Sequence, residues 1–170
     1  MNRIMVIGCC GSGKSTFSAK LHALTQLELF HLDQYYWKPH WVETPKTEWV
    51  KTVQNLANKP EWIIDGNYGG TMDIRIAQAD TIIYFDYPTW KCLWRVLKRV
   101  FKYWGRERPD MPEGCKERLD FAFLHYVATF NIIKRKKNLA KLESLKTSKK
   151  IIIFKNDTEA DRFLTTQISH

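Results

Sequence analysis

Three glycines at positions 8, 11 and 13 most constrain what this chain can fold into. The stretch Gly8-Cys9-Cys10-Gly11-Ser12-Gly13-Lys14-Ser15 fits G-x-x-x-x-G-K-[ST], the phosphate-binding loop. Its context fits too. Arg3-Ile4-Met5-Val6-Ile7 before it reads as a short buried strand, and Thr16 to Leu24 after it reads as a helix. Glycines let the backbone double back so that its N–H groups point inward at phosphate oxygens, and the following helix adds its positive dipole end. Gly8 to Thr16 are therefore the expected phosphate-binding residues. Lys14 is expected at the β/γ-phosphates, and the Ser15 hydroxyl on Mg²⁺.

A chain of 170 residues with 44% apolar and 14% aromatic residues is long and apolar enough for one folded domain. No stretch approaches the ~20 apolar residues of a membrane-spanning helix. Cys9, Cys10, Cys92 and Cys115 form no C-x-x-C pair. That spacing, and a start that runs straight into a strand, lead to the expectation of reduced thiols in a cytoplasm. The net charge of +9 is uneven. Residues 131–150 carry eight Lys/Arg and one acid, and residues 91–118 carry nine against four. The first cluster reads as a solvated helix face or a surface for a polyanion.

Taken in order, Leu27–Leu32 reads as a second strand ending at Asp33. The aromatic stretch 34–41 reads as a loop. Thr44-Pro45 reads as the N-cap and first residue of a helix that runs to about Asn58. Trp62–Asp65 and Thr81–Asp86 are the next strands, each closed by an acid, with a turn and short helix through Arg75 between them. A basic helix from about Thr89 to Trp104 precedes a Pro- and Gly-rich loop. A long helical region then runs from Cys115 to about Leu145, broken near Lys136–Asn138. Lys150–Phe154 is a fifth strand, and Glu159–Thr166 a closing helix. Continuous apolar strands alternating with helices predict a five-stranded parallel sheet in a three-layer α/β/α fold, with a small lid at about 105–117. Ligands of such sheets bind beyond the carboxyl ends of the strands, where Asp33, Asp65, Asp86 and the glycine loop gather.

The segments GCCGSGKST (8–16), HLDQYYWKPHW (31–41), WIIDGNY (62–68), the T-x-x-x-R of Thr71 to Arg75, Ala79–Ile83 and RPDMPEGC (108–115) resemble small P-loop kinases of the adenylate-kinase-like group. More narrowly, they resemble the DNA topology modulation proteins, over nearly the whole chain. The resemblance implies ATP and Mg²⁺ as cofactors. It implies Asp65 as the magnesium-associated acid, with Asp86 as the alternative. Asp33 is similar to the acceptor-side acid of kinases that phosphorylate hydroxyls. Tyr35, Trp37 and Trp41 are aromatics suited to stack a base or sugar, and Arg75 would grip the acceptor. Arg95 and Arg99, four residues apart on one helix face, resemble the pair preceding an adenylate-kinase lid. Arg106, Arg108 and Arg118 would belong to the lid and touch the transferring phosphoryl group. Gly66-Asn67-Tyr68 stands where adenylate kinases carry G-F-P-R, so AMP is not the expected acceptor.

These readings predict a kinase that moves the γ-phosphoryl of Mg·ATP to a small nucleoside, nucleotide or sugar-like hydroxyl, with no membrane partner. Two alternatives stay open: a nucleotide-binding regulator that contacts nucleic acid through residues 131–150, and an NTPase whose acceptor is water.

Overall fold

The computed structural model describes residues 1–168. Five parallel strands form the central sheet in the order β2-β5-β1-β6-β7, with ranges Leu29–His31, Trp62–Asp65, Arg3–Gly8, Thr81–Phe85 and Lys150–Phe154. The predicted three-layer α/β/α architecture with five parallel strands is what forms. β1 lies at the centre, with Val6 paired to Asp65 on one side and to Ile83 on the other. Ile4, Met5 and Val6 have no exposed surface, which is why the strand is a continuous apolar run.

Alternation along β1 divides the core between two faces. Ile4 and Val6 point to a layer with Phe17 and Leu21 of α1 (Lys14–Thr25), Cys92 and Val96 of α5 (Thr89–Tyr103), Val127 of α6 (Phe121–Phe130) and Leu164 of α8 (Asp157–Ile168). Met5 and Ile7 point to Trp49 and Val53 of α3 (Lys46–Ala57), Ile76 of α4 (Met72–Gln78) and Leu142 of α7 (Lys136–Leu145). Each fully buried aliphatic side chain contributes about 1.5–3 kcal/mol of transfer free energy, so both layers hold the sheet edge rigid beneath the loops it carries. No helix among the described residues is long and apolar enough to cross a membrane.

Several boundaries differ from the sequence expectation. Asp33 does not close a strand; it lies in the one-turn helix α2 (Leu32–Tyr36). The expected loop 34–41 continues as a small antiparallel hairpin of β3 (Trp37–Lys38) and β4 (Val42–Glu43). Its turn holds His40 and Trp41 at φ 64° and 63°. Thr44 does not cap α3. Its hydroxyl donates to the Tyr36 carbonyl at 2.7 Å, and Pro45 takes the N-cap. The helix expected from Cys115 starts at Phe121, where the Asp120 carboxylate accepts from the Phe123 N–H at 3.1 Å. The break falls at a π-turn over Asn131–Arg135, ahead of its expected place. There Asn131 Nδ2 donates to the Tyr87 carbonyl at 2.9 Å.

The segment between α5 and α6, where the lid is expected, rests on the hairpin and on α2. His40 N–H donates to the Gly114 carbonyl at 3.2 Å, and Trp41 Nε1 donates to the Lys116 carbonyl at 3.1 Å. Gln34 Nε2 donates to the Pro109 carbonyl at 3.1 Å, and Cys115 Sγ lies 3.4 Å from the Lys38 carbonyl. Together they roof the carboxyl edge of the sheet.

Candidate functional site

The glycine loop leaves β1 in a conformation only glycine holds without strain. Gly8, Gly11 and Gly13 have φ of 143°, 81° and 96°. A Cβ on Gly11 would lie 2.4 Å from the Cys92 carbonyl oxygen, so the loop sits directly on α5. Lys14 opens α1, is 8% exposed, and donates from Nζ to the Cys9 carbonyl at 2.9 Å. That bond folds the lysine back over the loop. The Ser12 hydroxyl is buried without a partner. Cys10 to Thr16 line a cleft of about 1410 Å³ under the lid, room for a nucleotide and a second small molecule. Gly8 and Cys9 lie beneath that surface. The Cys9 thiol packs against Cys92, and their contact and burial push its pKa far above the usual thiol range.

Across the loop stand the acids. β5 delivers Asp65, 5% exposed, and paired register with β2 brings His31 beside it. His31 Nδ1 lies 3.0 Å from Asp65 Oδ2, while Asp65 Oδ1 is buried with no partner. Burial alone would lower the pKa of the His31 ring; the hydrogen bond and charge of Asp65 outweigh it and raise the pKa above the ordinary histidine value. Asp33, from α2, accepts a hydrogen bond from the Tyr68 hydroxyl at 2.5 Å. Burial raises its carboxyl above the usual carboxylate range, and the Tyr68 bond offsets only part of that. Asn67 clasps β1 with both ends of its amide, accepting from Gly8 N–H at 3.0 Å and donating to the Gly8 carbonyl at 2.8 Å. Asp86 is elsewhere. It forms a two-pronged pair with Arg135 at 2.6 and 2.8 Å, outside the cleft, so Asp65 is the strand-end acid that faces the glycine loop.

The arginines divide. Arg95 donates to the Ser12 carbonyl at 3.2 Å and to Asp157 at 2.7 Å, which pins α5 and α8 to the loop. Arg99 and Arg108 meet at Glu117, a side chain 5% exposed, with N···O distances of 3.3 and 2.6 Å. Arg108 also reaches Asp110 at 3.1 Å. Arg118 is exposed and lines the cleft, while Arg106 does not line it. Arg75 corrects the expectation for it. The guanidinium is fully buried and donates to the carbonyls of Gly66 and Asn67 at 2.6 Å and of Tyr68 at 3.1 Å. It holds the turn after β5 and does not reach an acceptor. Tyr35 also departs from its assignment. It is 39% exposed, packs edge-on to Phe30, and stays out of the cleft, whereas Trp37 and Trp41 line it.

His31, Asn67, Tyr68, Glu117 and Asp157 carry no strong motif, and sequence reasoning did not single them out as site residues. The departure of Gly66-Asn67-Tyr68 from G-F-P-R was the available signal for two of them. The basic cluster 131–150 is dispersed. Arg135 is on Asp86, Lys141 on Asp73 and Lys146 on Glu143; Lys149 donates to the Ala79 carbonyl at 2.6 Å; and Lys134 and Lys137 line the cleft.

The donor set suits a hydrated divalent cation beside phosphate. A buried orphan carboxylate oxygen on Asp65 and the Ser15 hydroxyl share the cleft with the glycine loop. No protein-family model matches the chain, and no curated protein does. Solved structures do. A gluconokinase from Sinorhizobium meliloti 1021 aligns with TM-score 0.55 at 13% identity, covering 99% of this chain and 91% of its own. A shikimate kinase from Bacteroides thetaiotaomicron aligns with TM-score 0.54 at 14% identity, covering 97% of each chain. The fold is that of the P-loop kinases.

Proposed function

We propose that this chain is a kinase that transfers the γ-phosphoryl of Mg·ATP to a hydroxyl of a small acceptor. One observation carries the reading: Asp33 and Asp65 line the same cleft as the phosphate loop, on the opposite wall. The loop N–H groups and Lys14 would bind and polarise the β- and γ-phosphates. The nucleotide's far end would lie towards Arg95, Tyr87 and Asp157, which line the same cleft, Arg95 being bonded to the Ser12 carbonyl and to Asp157. Ser15 and Asp65 would hold Mg²⁺, whose charge offsets that of the phosphates. Asp33, its carboxylate basicity raised by burial, would accept the hydroxyl proton as the new O–P bond forms and the β–γ bridging bond breaks. ADP carries away the bridging oxygen. Arg99, Arg108 and Arg118 would offset charge on the transferring group. Within this reading we keep the likeness to the DNA topology modulation proteins, which rests on the segments quoted above.

Two variants test it. Lys14→Ala is expected to fold but to lose turnover and most of its thermal stabilisation by Mg·ATP. Asp33→Asn is expected to keep that stabilisation and lose acceptor phosphorylation by about 100-fold or more. Equal stabilisation of Lys14→Ala and wild type would remove Lys14 from the phosphates. Unchanged turnover in Asp33→Asn would remove Asp33 from the acceptor step.

A further inference from the structure

The acceptor half of the cleft has an uneven charge inventory. The elements from β2 to α4, residues 29–78, contribute Asp33, Glu43, Asp65 and Asp73 to its walls and no lysine or arginine; the histidine they bring, His31, is bonded to Asp65, and Asp73 is paired with Lys141 of α7. Lys46 and Lys51 are exposed on α3 outside the cleft, and the other lysines and the arginine of that segment are engaged. Lys38 pairs with Glu48 at 3.1 Å, Lys59 with Glu28 at 2.7 Å, and Arg75 with three backbone carbonyls. The lid arginine that leans over them, Arg108, is already held between Glu117 and Asp110. Lys134, Lys137 and Lys141 reach the cleft from the π-turn and α7, and Arg118 from the segment ahead of α6, all outside these elements. A carboxylate or phosphate on the acceptor would stand among like charges with no arginine fork free on that wall.

The same wall is aromatic. Trp37 and Trp41 pack edge-to-face at 5.4 Å, and both line the cleft. Trp41 spends its one polar group on the Lys116 carbonyl, which fixes the ring and leaves its face as an apolar surface. Carboxylates beside tryptophan rings suit a ligand with hydroxyl or ammonium donors and a flat or C–H-rich face.

We propose, resting on the kinase reading, that the acceptor carries no negative charge of its own: it is an uncharged or amine-bearing polyhydroxyl compound, held by its face on Trp37 and Trp41 and by its donors on Asp33 and Glu43. The acids that name the neighbouring kinases' substrates, gluconate and shikimate, are thereby excluded.

The test is an acceptor panel with three arms: uncharged (hexoses, inositol, nucleosides), amine-bearing (glucosamine, aminoglycosides) and anionic (gluconate, shikimate, nucleoside monophosphates). Acceptor-dependent ADP release is read with product mass, and tryptophan fluorescence reads binding without ATP. An uncharged or amine-bearing member is expected to exceed every anionic one by about 100-fold or more in kcat/KM. An anionic acceptor that matches or beats them overturns the inference and leaves the kinase reading standing. If no arm releases ADP, the kinase reading falls, and fluorescence then decides the charge preference alone. Quenching by uncharged or amine-bearing members and not by anions supports it; quenching by anions, or by none, overturns it. Glu43→Lys, an exposed position, is expected to shift the ratio towards anions, and an unmoved ratio removes Glu43 from the acceptor.

Discussion

At the scale of single residues, the contact between His31 and Asp65 ties the site to pH. The folded-state pKa of His31 lies above its ordinary value because Asp65 outweighs burial. A histidine raised in this way contributes stability that is complete below its unfolded pKa of about 6.5 and is lost as pH rises through the folded value. Wild type should therefore melt above His31→Gln below about pH 6.5, and the gap should close as pH rises through the folded value. A gap independent of pH would mean the ring is neutral in the folded state. Asp33 titrates in the opposite sense for function. Its raised pKa favours the protonated form at low pH, so the acceptor step is expected to weaken as the medium acidifies.

At the scale of elements, the turn after β5 depends on one side chain. Arg75, in α4, lies seven residues beyond Tyr68, and its donors satisfy the Gly66, Asn67 and Tyr68 carbonyls. Burial lowers its pKa to about 10, which still leaves it charged at neutral pH. Arg75→Met removes those donors and leaves buried carbonyls unpaired, at an expected cost of about 3–5 kcal/mol by chemical denaturation. A loss below about 1 kcal/mol would show that water replaces the guanidinium. The same arginine shows where sequence reading reached its limit. Apolar runs such as Trp62–Ile64 and Thr81–Phe85 declared the sheet, because a strand buried on both faces has no polar positions to confuse it. The glycine loop declared itself through its spacing. The wall proposed for the acceptor was only partly legible. Asp33 and Trp37 were visible as types, but Arg75 looks the same in sequence whether it faces a ligand or three carbonyls. Glu117 gave no signal, since its burial depends on Arg99 of α5 and Arg108, from earlier in its own segment, converging on it. The helix expected from Cys115 failed for a related reason: those residues spend their hydrogen bonds on the hairpin and lid.

At the scale of the molecule, the net charge of +9 is not presented as one face. Six of the cluster's eight cations engage an acid or a carbonyl or line the cleft: Arg135, Lys141, Lys146, Lys149, Lys134 and Lys137. Binding to duplex DNA is accordingly expected to vanish by about 0.15 M salt in a gel-shift titration. Binding that persists there and is lost in a Lys134/Lys136/Lys137→Ala variant would restore the nucleic-acid reading. The seam between hairpin and lid has a different character. All four of its contacts end on main-chain carbonyls, those of Gly114, Lys116, Pro109 and Lys38. The seam therefore reads the path of the backbone and is indifferent to what Lys38 and Lys116 carry beyond their α-carbons. Gly114 is the exception: its φ is 82°, and an added Cβ would lie 3.0 Å from Pro39 Cβ. Over evolutionary time the lid is free to change what Lys116 carries and to keep its grip, so long as Cys115 keeps its thiol and Gly114 stays bare.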